Sequence, residues 1–88
     1  DLETKIIQTE TGIQSPMAMK LVNISNKIRN LHELGLMETV STRLIVDAAK
    51  LIHSGMNPRL AAKVAMLEPL TDELETIQSL EDLVNLAL

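Results

Sequence analysis

Between Ser15-Pro16 and Gly35 runs the stretch SPMAMKLVNISNKIRNLHELG, in which Met17, Leu21, Ile24, Ile28 and Leu31 recur at alternating spacings of four and three. Those spacings keep five large apolar side chains on one face of an α-helix, and a strand of period two would split them between its faces. Asn23, Asn26, Lys27 and Asn30 fall largely elsewhere. Ser15 suits the cap, Pro16 suits the first helical position, and Gly35 supplies a stop. The pattern predicts a helix from about Pro16 to Leu34 as the spine of the fold.

The rest of the chain carries the same punctuation. Residues 2 to 11 are read as a short helix closed by Gly12, since glycine accepts the left-handed conformation that ends helices. A third helix is expected from Ser41 as cap to about His53, burying Leu44, Ile45, Ala48, Leu51 and Ile52 and stopping at Gly55. In NPRLAAKVAML, Asn57 and Pro58 repeat the cap-then-proline start. Pro69 ends that helix, and Asp72 with Glu75 has the spacing of a capping box for a last one. Leu74, Ile77, Leu80 and Val84 continue an apolar stripe there, with Ser79 and Asp82 as a restart after a kink. No alternating run supports a strand, and there is no repeat of useful period. The expected fold is all-α, a compact bundle of about five helices forming one domain over residues 1–88.

Composition says what fills that bundle. The chain is 45% hydrophobic and 23% charged, yet contains no Phe, Tyr, Trp or Cys. Its core must be aliphatic, and the alanine-rich fourth helix helps by letting neighbours approach closely. At 88 residues it has room for one modest core, burying about 60–65% of the unfolded surface. Without cysteine there is neither a disulfide framework nor a thiolate, which is compatible with a reducing compartment. A net charge of −4 and the lack of aromatic stacking platforms argue against nucleic acid as a partner. No apolar run approaches the roughly 20 residues that span a bilayer, so no membrane role is expected. Asp1 stands where an initiator methionine would, and the chain is expected to be cut from something longer.

Chemistry-bearing groups are sparse. His32 and His53 fall on different segments with no ligand set around them; each reads as a polar residue near a helix C-terminus, and no metal site is expected. Asp72, Glu73 and Glu75 are expected in a helix's first turn, where negative charge belongs for structural reasons. Met17, Met19, Met37, Met56 and Met66 are scattered gap-fillers. No phosphate-binding glycine loop and no Ser/His/Asp arrangement is present, so no catalytic residue is expected within these 88 residues.

Two arginines stand out. Arg43 in STRL and Arg59 in NPRL each lie two residues after a capping residue, in a first turn where the helix field is already positive. A cation there calls for an anion, and a helix start with an arginine fork is one way to build an anion site. The bland reading is a solvated arginine or one paired with a nearby carboxylate. Local sequence does not choose between the two arginines.

The succession NKIRNLHELGL, VSTRLIVDAAKLI, G-x-x-P-R-x-A and EPLTDELETIQSLEDLV resembles the C-terminal domain of the CbbQ/NirQ/NorQ group of MoxR-type AAA+ ATPases. The resemblance covers nearly the whole chain. It implies a helical lid in which the arginine of STR, here Arg43, is the sensor-2 residue reaching the terminal phosphate of ATP, with Ser41 as its supporting cap. Arg59 has no such role in it and stays structural. It implies that the chain is a C-terminal fragment and that the nucleotide-binding motifs lie in an upstream AAA+ core domain. ATP and Mg would bind the full-length parent and not the fragment. It further implies a hexameric ring, a von Willebrand factor A domain partner, a cytoplasmic location, and a metalloenzyme client such as Rubisco or nitric oxide reductase. One departure is Thr39, two residues before Ser41, where family members often carry glycine; a positive φ there would suit glycine alone. The competing reading is a free-standing helical interaction module that binds a partner helix through an aliphatic groove and has no nucleotide role, favoured by the acidic balance, the absence of catalytic groups, and Val22 and Val46 as candidates for an exposed apolar surface.

Overall fold

A computed structural model describes residues 1–31 and 39–88 of the chain. Helix α1, Leu2–Thr11, begins where the Asp1 carboxylate accepts the Thr4 N–H at 2.8 Å. It ends at Gly12, whose φ of 76° lets its N–H donate back to the Gln8 carbonyl, as expected of a glycine stop. Helix α2, Ser15–Arg29, is entered differently from expectation. Gln14 is the cap residue and makes no side-chain bond, Ser15 is already helical, and Pro16 presets the first turn.

The end of α2 is also earlier than its apolar pattern suggested. The N–H groups of Asn30 and Leu31 donate to carbonyls three residues back, Lys27 at 3.2 Å and Ile28 at 3.0 Å, which tightens and closes the helix. The expected stop at Gly35, together with His32 and Met37, lies outside the described residues. Helix α3, Thr42–His53, has the expected bounds, with the Ser41 hydroxyl accepting the Leu44 N–H at 3.3 Å. Gly55 turns the chain at φ 111°, and the Met56 N–H reaches the Leu51 carbonyl, five residues back.

Helix α4, Pro58–Ala62, starts as expected from Asn57, whose side chain accepts the N–H groups of Arg59 and Leu60. It then widens into a π-helical turn, Lys63–Leu67, closed by the Glu68 N–H on the Lys63 carbonyl at 3.0 Å. This turn aims Ala65, Met66 and Leu67 inward. Helix α5, Leu74–Ala87, corrects two expectations. The Asp72–Glu75 capping box does not form, because the Thr71 hydroxyl takes the Glu73 N–H at 3.1 Å and holds the chain in a turn until Leu74. Nor does the helix restart at Ser79, whose hydroxyl donates to the Glu75 carbonyl inside one continuous helix.

The helices share one core. Ile7, Leu21, Ile24, Ile28, Ile45, Met66, Leu67 and Leu80 are its largest buried side chains, with Ala18, Ala48, Ala49 and Ala62 between them. Helix α3 takes the central place, packing on α1, α2, α4 and the π-helical turn, while α2 lies against α1, α3 and α5. Val22 and Val46, expected to be exposed, are instead 1% and 5% exposed and belong to this core. Packing reaches normal compactness without Phe, Tyr or Trp. The radius of gyration is 12.0 Å, against about 12 Å expected for a domain of this length. Among the described residues there is no strand and no helix long and apolar enough to cross a membrane.

Candidate functional site

Ser41 and Arg43 come together at the start of α3 as the sequence implied. Ser41 has extended backbone and supplies the side-chain cap; Arg43 follows in the first turn and is exposed. An exposed position spares the guanidinium the cost of burial without a partner. Among the described residues its side chain makes no ion pair, and it lines an open groove of about 430 Å³ between α1 and α3. Ile6, Val46 and Thr42 form the apolar and neutral wall of that groove, with Glu10, Asp47 and Lys50 around its rim. The helix field and Arg43 favour an anion at this end of the groove, while Glu10 and Asp47 oppose one farther along.

Beneath Arg43 lies a polar knot that sequence reading did not find. The Arg29 guanidinium donates to both carboxylate oxygens of Glu3, Nη1 to Oε1 at 2.9 Å and Nη2 to Oε2 at 2.8 Å. Its Nε donates to the Val40 carbonyl at 2.8 Å, and Nη1 also reaches Asn26 Oδ1 at 2.9 Å. Thr42 completes the knot, its hydroxyl donating to Glu3 Oε2 at 2.8 Å. The first turn of α1, the last turn of α2 and the residues flanking the Ser41 cap are thus joined through one carboxylate and one guanidinium. The side chains of Arg29 and Glu3 are 26% and 19% exposed, shielded enough for a bidentate fork to outweigh a surface pair.

The titration of Glu3 reflects that setting. The bond from Arg29 is the largest influence and lowers its pKa; burial acts in the opposite sense, and the Thr42 hydroxyl and the charge of Arg29 lower it further. The same bond raises Arg29 above its ordinary value. Two signals in the sequence bear on this knot: an acid in the first turn of α1 and a base in the last turn of α2, each favoured by its own helix. Neither says that the two meet, because residues 3 and 29 are brought together only by the packing of α1 on α2.

The other candidates are placed apart from this site. Arg59, on α4, donates from Nη2 to the Asn85 carbonyl of α5 at 3.4 Å, a tie between helices that fits its structural reading. Lys63, the first residue of the π-helical turn, pairs with Glu81 of α5 at 3.0 Å. His53 closes α3 with its ring near Gly12, where a Cβ would meet it at 3.5 Å. Of the acidic trio, only Glu75 lies in the first turn of α5; Glu73 is the residue before that helix and accepts the Thr76 hydroxyl at 3.0 Å, and Asp72 precedes it in the turn. Thr39 is exposed, and the residue before it lies outside the described residues.

Comparison with known proteins finds similarity over nearly the whole chain. The CbbQ/NirQ/NorQ C-terminal family matches residues 3–87. The denitrification regulatory protein NirQ of Pseudomonas aeruginosa is 42% identical over 84 residues, covering 96% of this chain and 32% of that protein. NorQ of Paracoccus denitrificans is 44% identical over 81 residues, covering 92% of this chain and 30% of NorQ. CbbQ of Hydrogenophilus thermoluteolus is 38% identical over 73 residues, 83% of this chain and 27% of CbbQ. The chain therefore spans about a third of the length of these relatives. With a match from Glu3 to Ala87 and the expected all-α bundle, the chain belongs to the CbbQ/NirQ/NorQ C-terminal family.

Proposed function

We propose that this chain is the helical lid of a MoxR-type AAA+ ATPase and that Arg43 is its sensor-2 residue, contacting the terminal phosphate of ATP bound to an upstream core domain. The observation that carries this reading is the exposure of Arg43 in the first turn of α3, where guanidinium and helix field act on the same anion. Charge accumulates on the phosphoryl oxygens as the terminal phosphate is transferred, and a planar fork held in place stabilises it without reorganisation. Ser41 contributes by fixing where the helix begins. In this reading the Mg of an ATP complex is held by the core domain together with the phosphates.

The wider setting follows from the same reading. The parent is a cytoplasmic hexameric ring acting with a von Willebrand factor A domain partner on a metalloenzyme client such as Rubisco or nitric oxide reductase. That the similar NirQ is a denitrification regulatory protein supports a client in denitrification. The interaction-module reading loses one of its supports, since Val22 and Val46 are part of the core.

The test belongs in the full-length parent. Arg43→Ala is expected to slow ATP turnover at least about tenfold with the helical content unchanged, because the lost interaction is with phosphate charge and not with the core. Arg43→Lys keeps the charge without the planar fork and should recover only part of the rate. Arg59→Ala, with the same local sequence, should change turnover little. Equal behaviour of the two alanine variants would remove the assignment, as would a parent reading frame with no phosphate-binding glycine loop upstream.

A further inference from the structure

Arg43 leaves the domain from the first turn of α3, which is held by the Ser41 hydroxyl, accepting the Leu44 N–H at 3.3 Å, and by the Ser41 carbonyl, accepting the N–H groups of Leu44 at 3.1 Å and Ile45 at 3.3 Å. Among the described residues the Arg43 side chain makes no ion pair. The turn is tied to the rest of the domain on either side of the cap. Before it, the Val40 carbonyl is taken by Arg29 Nε at 2.8 Å; after it, the Thr42 hydroxyl is taken by Glu3 Oε2 at 2.8 Å. Glu3 and Arg29 are locked to each other by the fork, so the two anchors form one rigid body drawn from α1 and α2.

We propose that Glu3, Arg29 and Thr42 are positioning residues that set the direction in which Arg43 projects from the domain. The proposal rests on the sensor-2 reading of Arg43. The geometry gives each member a distinct task. Arg29 spends its donors on four bonds to three residues, which an ammonium with three donors and no plane does not reproduce. Glu3 is the joint: one oxygen receives only the fork, while the other receives both the fork and the Thr42 hydroxyl. Thr42, adjacent to Arg43, carries the constraint into the first turn. A displacement of the guanidinium by about 1 Å is enough to cost up to 100-fold in rate, so modest loosening of this joint is visible in turnover.

Thr42 is the residue to change, because Thr42→Val removes the hydroxyl, keeps the shape and leaves the Glu3–Arg29 fork in place. In the full-length parent, Thr42→Val is expected to lower kcat for ATP by about five- to tenfold when Arg43 is present and by less than twofold in an Arg43→Ala background, with Thr42→Ser near the parent rate. A purely structural Thr42 would lower kcat by the same factor in both backgrounds, and that result overturns the proposal, as does an unchanged kcat in both. Amide hydrogen exchange in the same proteins gives a second readout: the Leu44 and Ile45 N–H groups should exchange at least about tenfold faster in Thr42→Val, with Leu80 in α5 unaffected. Should Arg43→Ala itself leave turnover unchanged, the sensor-2 reading fails; faster exchange at Leu44 and Ile45 then still supports the clamp on the turn, and unchanged exchange overturns it.

Discussion

A carboxylate that receives three donors is expensive to protonate, and Glu3 is such a group. Because its pKa in the folded chain is depressed below the ordinary 4.5, the stabilisation it gives is complete above that value and is lost as pH falls toward the folded value. Glu3→Gln should therefore unfold at lower urea than the parent sequence at pH 7, by roughly 1–2 kcal/mol for a hydrogen-bonded pair of partial exposure. The gap should begin to narrow as the pH is taken below about 4.5, where the unfolded carboxyl starts to protonate, and close only below the depressed folded value, where the native side chain is protonated too and resembles glutamine. A gap that stays constant from pH 7 to pH 3 would show that the charge of Glu3 contributes nothing. At this scale the sequence was half legible. Ser41, Arg43 and Asn57 announced themselves by type and position next to an apolar run, since capping is a local matter. Glu3 and Arg29 did not, because each looks like an ordinary helix-end charge until α1 is packed on α2.

The limits of α1 and α3 match the sequence pattern, and those of α2 and α5 do not. α1 and α3 end where the sequence puts them, since an aspartate or serine cap and a glycine of positive φ act within a few residues. α2 has an apolar pattern that continues past its end, yet Arg29 turns to Val40 and the helix closes at Asn30. α5 starts late because a threonine hydroxyl two residues ahead competes for the Glu73 N–H. The π-helical turn has no local signature at all; it satisfies the demand that Met66 and Leu67 both face the core. What the periodicity did establish is the buried face of α2, where Leu21, Ile24 and Ile28 are at most 2% exposed. Leu21→Ala and Ile28→Ala are accordingly expected to cost about 2–5 kcal/mol each, enough to lower the melting temperature of so small a domain by 10 °C or more, at roughly 4–8 °C per kcal/mol. Calorimetry of the two variants decides it: melting points within a few degrees of the parent's would mean that this face is not the core.

Taken whole, the molecule is one aliphatic core with a positioned cation at one end of its central helix. A lone arginine and one helix start supply a corner of a nucleotide site and no phosphate loop, so the isolated 88-residue chain is expected to show no ATP hydrolysis above blank. Phosphate release in a purified preparation that disappears with Arg43→Ala would contradict this. The ring-free interior has a separate consequence for how such questions are approached. With no Trp, Tyr or Phe anywhere in the chain, the domain is optically dark: it neither emits under ultraviolet excitation nor absorbs appreciably near 280 nm. A single tryptophan in place of Ile6, which lines the Arg43 groove and is 38% exposed, would be this domain's sole chromophore. In a full-length parent, the difference between the emission of that variant and of the native chain would isolate events at the groove from everything the rest of the protein contributes to the signal.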